Sequence, residues 1–130
     1  MKILLVDNDP VYLSLLAEVL TLYSHQVTTA TDGAAALEIL EKESFQLIIS
    51  DVSMPNLNGM DFHIKIRESE KWHSIPFAWN SAYPELLDVL LVRDATIDYK
   101  FDKAKSLSSL LHMVSRMDAA FRLKNASQVA

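Results

Sequence analysis

Gln46-Leu47-Ile48-Ile49-Ser50-Asp51-Val52-Ser53-Met54-Pro55-Asn56-Leu57-Asn58-Gly59 is the stretch whose reading decides the fold. Its first half is a short apolar run without alternation, as in a strand buried on both faces. Its second half gathers Pro55, Asn56, Asn58 and Gly59, residues that favour turns. One acid, Asp51, stands where the strand ends and the loop begins. A strand covered on both faces belongs to a parallel sheet with helices above and below it.

The flanking sequence repeats that pattern. Ile3 to Val6 is a second continuous apolar run, followed by Asp9-Pro10, an N-cap with proline at the first helical position. Tyr12, Leu13, Leu16, Val19, Leu20 and Tyr23 then recur at helical spacing. Gln26 to Ala30 is β-branched and reads as a strand, and Asp32-Gly33 opens a helix with Ala36, Leu37 and Leu40 inward. Met60 to about Ser69 reads as a third helix, Pro76 to Asn80 as a fourth strand, and Pro84 opens a fourth helix. Ile97 to Phe101 is a fifth strand, and Leu107, Leu110, Leu111, Val114, Met117 and Phe121 stripe a last helix. One domain over 1–124 is expected, with 125–130 as a loose tail.

Strands alternating with helices imply an α/β, doubly wound parallel sheet, because the crossovers are right-handed. Ligands of such sheets bind beyond the carboxyl ends of the strands. The residues there are Asp7, Asn8 and Asp9, then Asp51, Ser81 and Lys103.

Composition narrows the partners. With 130 residues, 22% of them charged, the chain is one ordinary globular domain. It has no cysteine, which excludes disulfides and thiolate metal sites. A formal net charge of −5 argues against nucleic acid as a partner. Arg116, Arg122 and Lys124 read as charges complementing the end of the last helix. No apolar run suits a signal peptide or a membrane span, so a cytoplasmic location is expected.

Asp51 could attack a phosphoryl donor as a carboxylate nucleophile; the plainer reading is a loop acid bonding nearby backbone. Asp7 and Asn8 lie beside it, and clustered acids repel unless a cation neutralises them. A hard cation with oxygen ligands such as Mg²⁺ would do so. Lys103 could set a point charge on phosphoryl oxygens. Ser81 could donate a hydroxyl hydrogen bond, or simply close a turn.

The run from Leu47 to Gly59 resembles the phosphoacceptor motif of response-regulator receiver domains, D-x-x-M-P-x-x-x-G after an apolar strand. Ile3-Leu4-Leu5-Val6-Asp7 resembles that family's first strand and acidic turn, and Pro76 to Ala82 its fourth strand ending in Ser-Ala. Lys103 falls at the family's lysine without a gap. The resemblance implies a flavodoxin-like three-layer sandwich of five strands in the order 2-1-3-4-5. It implies a phosphoacceptor signalling domain, an enzyme at most in acting on its own phosphoryl group. Asp51 would be the acceptor, Ser81 the switch hydroxyl and Lys103 the phosphoryl partner. Asp7, Asn8, Asp51 and the Ser53 carbonyl would hold Mg²⁺. The donor would be a histidine kinase or phosphotransfer protein, and the surface of the Pro84 helix, strand five and last helix would be remodelled.

The sequence departs from that family at four places. Asn8 replaces a second acid, so weaker Mg²⁺ binding and slower phosphorylation are expected. Lys100 stands where a switch aromatic belongs, and Tyr99 should face the other way. Ala104 replaces a proline. Asn80 is polar in a buried strand and needs a partner. The Pro84 helix is apolar around most of its circumference, so Leu87 and Leu91 are expected to be exposed for an effector or a second copy. His25, His63, His73 and His112 lack metal-ligand spacing, with His63 and His73 flanking a surface helix, and Trp72 and Trp79 read as packing groups. Asn8, Lys100 and Ala104 leave open a pseudo-receiver that works without phosphorylation. An enzyme on the same fold is disfavoured: Ser53 stands where an aspartyl phosphatase needs its second acid, and Gly33 and Gly59 make no phosphate loop.

Overall fold

The computed structural model describes residues 1–54, 56–83, 96–103 and 107–129. Five strands, β1 (Lys2–Val6), β2 (Gln26–Ala30), β3 (Leu47–Ser50), β4 (Phe77–Ser81) and β5 (Asp98–Asp102), form one sheet. Their order is β2-β1-β3-β4-β5 and every pairing is parallel. Helices α1 (Pro10–Leu22), α2 (Gly33–Lys42), α3 (Gly59–Glu68) and α4 (Leu107–Val129) complete the described elements. This is the doubly wound sheet expected from the alternation, in the flavodoxin-like strand order that the resemblance implies.

Period-two alternation splits the core into two layers. Leu4, Val6, Ile48, Phe77 and Trp79 pack with Ala36 and Leu40 of α2 and Phe62 and Ile66 of α3. Ile3, Leu5, Leu47, Ile49 and Ala78 pack with Leu13, Leu16 and Leu20 of α1 and Leu110 and Val114 of α4.

The helix ends obey their capping chemistry. The Asp9 side chain accepts from the backbone N–H groups of Val11 and Tyr12, and Pro10 follows at the first turn. At the other end of α1, Ser24 takes a positive φ of 71°, the His25 N–H returns to the Leu20 carbonyl and the Ser24 N–H to that of Thr21. That is a Schellman closure with serine in the place glycine usually fills. Asp32 caps α2 through the Ala35 N–H, and Asn58 caps α3 through the Asp61 N–H.

α4 runs on to Val129, past the 1–124 over which one domain is expected. One expectation changes. His63 does not flank a surface helix; it is fully buried on α3. The helix expected from Pro84, with Leu87 and Leu91, and also Ala104 lie outside the described residues.

Candidate functional site

Register brings the acids together. Val6 pairs with Ser50, so the next residues, Asp7 and Asp51, leave adjacent strands side by side. The Asp51 N–H donates to the Val6 carbonyl at 2.8 Å and the Asp7 N–H to the Ala30 carbonyl at 3.1 Å, extending the ladders one residue past the strands. Alternation then decides the face. Asp7 follows Ile3 and Leu5, Asp51 follows Leu47 and Ile49, Asn80 follows Ala78, and Lys103 follows Tyr99 and Phe101. All four therefore project on the α1 side of the sheet.

The Lys103 ammonium sits between the two carboxylates, 2.5 Å from Asp7 Oδ2 and 3.4 Å from Asp51 Oδ2. The other Asp7 oxygen, Oδ1, accepts from the Asp9 N–H at 2.9 Å, and Asp51 Oδ1 accepts from the Val52 N–H at 2.8 Å. Burial holds the Asp51 carboxyl above its ordinary range; Lys103 pulls the other way without reversing it, and Asp7 adds to the rise. Burial acts to lower Lys103, but the hydrogen bond to Asp7 and the charges of Asp7 and Asp51 together hold the ammonium above its usual value.

The remaining site residues divide. Asp9 is the α1 cap, and Asn8 and Ser53 are exposed beside the acids. Ser81 is buried, but it shares the parity of Phe77 and Trp79. Its hydroxyl donates to the Tyr83 carbonyl at 3.3 Å and accepts from the Tyr83 N–H at 3.0 Å. Its main chain touches the site, through the Lys103 N–H donating to the Ser81 carbonyl at 2.8 Å. Lys100 pairs with Trp79 across the sheet, while Tyr99 packs on the α1–α4 layer.

Two groups escaped sequence reasoning. Asn80 finds its partner in Tyr12, its Nδ2 donating to the phenol oxygen at 2.6 Å. The Lys103 ammonium lies 4.7 Å from the centre of the Tyr12 ring. Away from the rim, Asp98 Oδ1 receives His63 Nε2 at 2.8 Å, Arg67 Nε at 3.1 Å and Arg67 Nη2 at 2.6 Å, all inside the fold. The cue was two basic residues four apart on α3, an i,i+4 pair on one helix face.

Among the described residues, the atoms at the rim that could ligate a cation are oxygens. Asp7 and Asp51 supply two carboxylates, and among the described residues no cluster of three acidic or histidine side chains forms. Carboxylate, carboxamide and main-chain oxygens suit a hard cation such as Mg²⁺, and two charges rather than three suit a weak site.

A sequence profile described as the response regulator receiver domain matches residues 3–115. The chain belongs to that family. Receiver domains are signalling modules of two-component systems, and relatives of this receiver bear that out. It is 41% identical over 68 residues to the sensor histidine kinase RcsC of Salmonella typhimurium, covering 52% of the receiver and 7% of that protein. It is 38% identical over 90 residues to the transcriptional regulatory protein CpxR homolog of Haemophilus influenzae, covering 69% of the receiver and 38% of that protein. The receiver thus spans a small part of its sensor-kinase relatives. Among solved structures it superposes on the response regulator TrrA of Thermotoga maritima, in complex with Mg²⁺ and BeF, with TM-score 0.77 and 25% identity over 89% of this chain and 97% of that one. The chemotaxis response regulator CheY4 of Vibrio cholerae gives TM-score 0.75 and 26% identity over the same shares, 89% and 97%. No described helix is long and apolar enough to cross a membrane.

Proposed function

We propose that this receiver is a cytoplasmic switch that accepts a phosphoryl group on Asp51 from a phosphohistidine of a partner kinase or phosphotransfer protein. The observation that carries the reading is the Lys103 ammonium standing between the Asp7 and Asp51 carboxylates at the open rim of the sheet. An Asp51 oxygen attacks phosphorus, a P–O bond forms, the P–N bond to the donor imidazole breaks, and that imidazole leaves with a proton. Catalysis in such transfers is mostly positioning and charge stabilisation. Lys103 meets the incoming oxygens, and Val52 N–H orients the attacking carboxylate. Asp7, Asn8, Asp51 and the Ser53 carbonyl would hold Mg²⁺, which supplies charge neutralisation to the acids and the phosphoryl oxygens.

Ser81 is the switch hydroxyl in this reading. It reaches the phosphoryl group only by giving up its two bonds to Tyr83, so phosphorylation rebuilds the start of the loop after β4. The output surface is proposed around β5, α4 and the Leu87–Leu91 segment, for an effector or a second copy of the chain.

Intact-mass spectrometry after incubation with acetyl phosphate and Mg²⁺ tests the reading. The wild type should gain one phosphoryl group and Asp51→Asn none. One observation favours the pseudo-receiver instead. Lys103 lies closer to Asp7 than to Asp51, so the ammonium already neutralises the acid that a cation needs, while Asn8 contributes no charge. Absence of an adduct, together with an unchanged spectrum in beryllofluoride, would establish that second reading.

A further inference from the structure

Asn80 sits inside β4, 3% exposed, where the three preceding positions, Phe77, Ala78 and Trp79, are apolar or aromatic. A buried carboxamide persists where it has a partner, and this one donates to the Tyr12 hydroxyl at 2.6 Å. Tyr12 lies in the first turn of α1, directly behind the Asp9 cap whose own N–H donates to Asp7. Ring, cap and Asp7 carboxylate are thereby tied to one another. Asp7, Tyr12, Asp51 and Asn80 also line one small cavity.

A lysine ammonium is a point charge on a flexible stem, with no fork geometry to orient it. Its place must come from its surroundings. Three groups are described around the Lys103 ammonium: two carboxylates and the Tyr12 ring, 4.7 Å away. The ring face attracts a cation. It is also the one neighbour of the three that is neither acceptor nor prospective metal ligand, so its hold on the ammonium does not change when the acids are engaged.

Resting on the reading of Asp51 as acceptor, we propose that Tyr12, anchored by Asn80, is a positioning residue that fixes the Lys103 ammonium at the place phosphoryl oxygens must occupy. Asn80 acts one step further back, by holding the phenol so that its ring faces the lysine.

The test uses the full chain with Tyr12→Phe, Tyr12→Leu, Asn80→Ala and Lys103→Ala. Phosphoryl uptake from acetyl phosphate is followed by intact mass at varied donor concentration. In parallel, ring-current displacement of the Lys103 ε-methylene protons is read by NMR, their resonance being assigned by its loss in Lys103→Ala. Tyr12→Leu should remove the displacement and lower the maximal uptake rate about fivefold, the size of one partly buried cation–π contact, with half-saturation unchanged. Tyr12→Phe keeps the ring but loses the hydroxyl that Asn80 holds, and Asn80→Ala loses the donor of the same bond, so both should fall between wild type and Tyr12→Leu. Tyr12→Leu should add no further loss in the Lys103→Ala background, unlike a general packing defect. An unmoved Lys103 resonance in Tyr12→Leu, or rate losses that multiply with Lys103→Ala, overturns the positioning role while leaving Asp51 as acceptor. A wild-type chain that takes up no phosphoryl group overturns the acceptor reading itself, and this role with it.

Discussion

Gly59 makes the sharpest link between packing and chemistry. It opens α3, and its N–H donates to the Val52 carbonyl at 2.8 Å. Its φ is not positive, so the backbone conformation alone would accept alanine. Space would not. A β-carbon here would collide with the Asp51 carbonyl oxygen and stand 2.8 Å from the Val52 carbonyl oxygen and 2.9 Å from Val52 Cα. These are main-chain atoms and cannot swing aside as a side-chain tip would. Two effects compete in Gly59→Ala. Loss of glycine's freedom in the unfolded chain stabilises by about 0.4–1 kcal/mol. Overpacking against fixed atoms destabilises by about 1–3 kcal/mol. Repulsion wins, leaving a net loss of about 1–2 kcal/mol, or roughly 3–8 °C in unfolding midpoint for a domain of this size. The backbone that must retreat is that of Asp51 itself. Since a 1 Å misplacement of a reacting group can lose about 100-fold, a shift of a few tenths should slow phosphoryl uptake by about tenfold. The assays are thermal unfolding by circular dichroism and the rate of uptake from acetyl phosphate. Gly33→Ala is the control: its β-carbon would press on the Leu57 carbonyl oxygen at 2.8 Å and on Phe62 Cβ at 3.1 Å, with no contact to Asp51. Gly33→Ala should destabilise with little effect on rate. A Gly59→Ala protein as stable as wild type, or slowed no more than Gly33→Ala, would refute the reasoning.

Asp98→Ala should lower stability by about 3–5 kcal/mol in urea titration, because it strips the counter-charge from the buried Arg67 guanidinium; a loss under about 1 kcal/mol would contradict the burial of that pair. Asn8→Asp should tighten Mg²⁺ binding about tenfold or more by adding a third carboxylate beside Asp7 and Asp51, and isothermal titration showing equal affinity would remove Asn8 as the cause of a weak site. Asp32→Ala should cost about 1 kcal/mol at neutral pH by uncapping α2 and freeing Asn56. The Ala35 N–H, then the Asn56 amide, hold the Asp32 carboxyl below its ordinary range. The cap's contribution is therefore present above the unfolded carboxylate's value and lost as pH falls through the folded one. The gap between wild type and variant should close on acidification, and a gap that widens would show the sign to be wrong.

The identities of the described strands and helices, their order and the rim residues were legible in the sequence because the cues are local. Continuous apolar runs such as Ile3–Val6 and Leu47–Ile49 mark strands covered on both faces, and Asp9-Pro10, Asp32-Gly33 and Asn58-Gly59 punctuate helix starts within one turn of chain. Each strand's end also names the residue just beyond it, so sequence alone sets Asp7, Asp51 and Lys103 at one edge of the sheet. Which of those groups touch was decided by register and parity across strands far apart in sequence. The pairing of Val6 with Ser50 sets Asp7 beside Asp51, whereas Ser81 ends on the opposite parity and turns to Tyr83. The Asn80–Tyr12 bond spans 68 residues and the His63–Asp98 pair spans 35. The i,i+4 spacing of His63 and Arg67 sets them on one helix face, but no periodicity names the partner across the fold, because each residue looks acceptable, or merely odd, within its own element. Polar groups in the interior choose partners through three-dimensional proximity, and only the packed sheet supplies that.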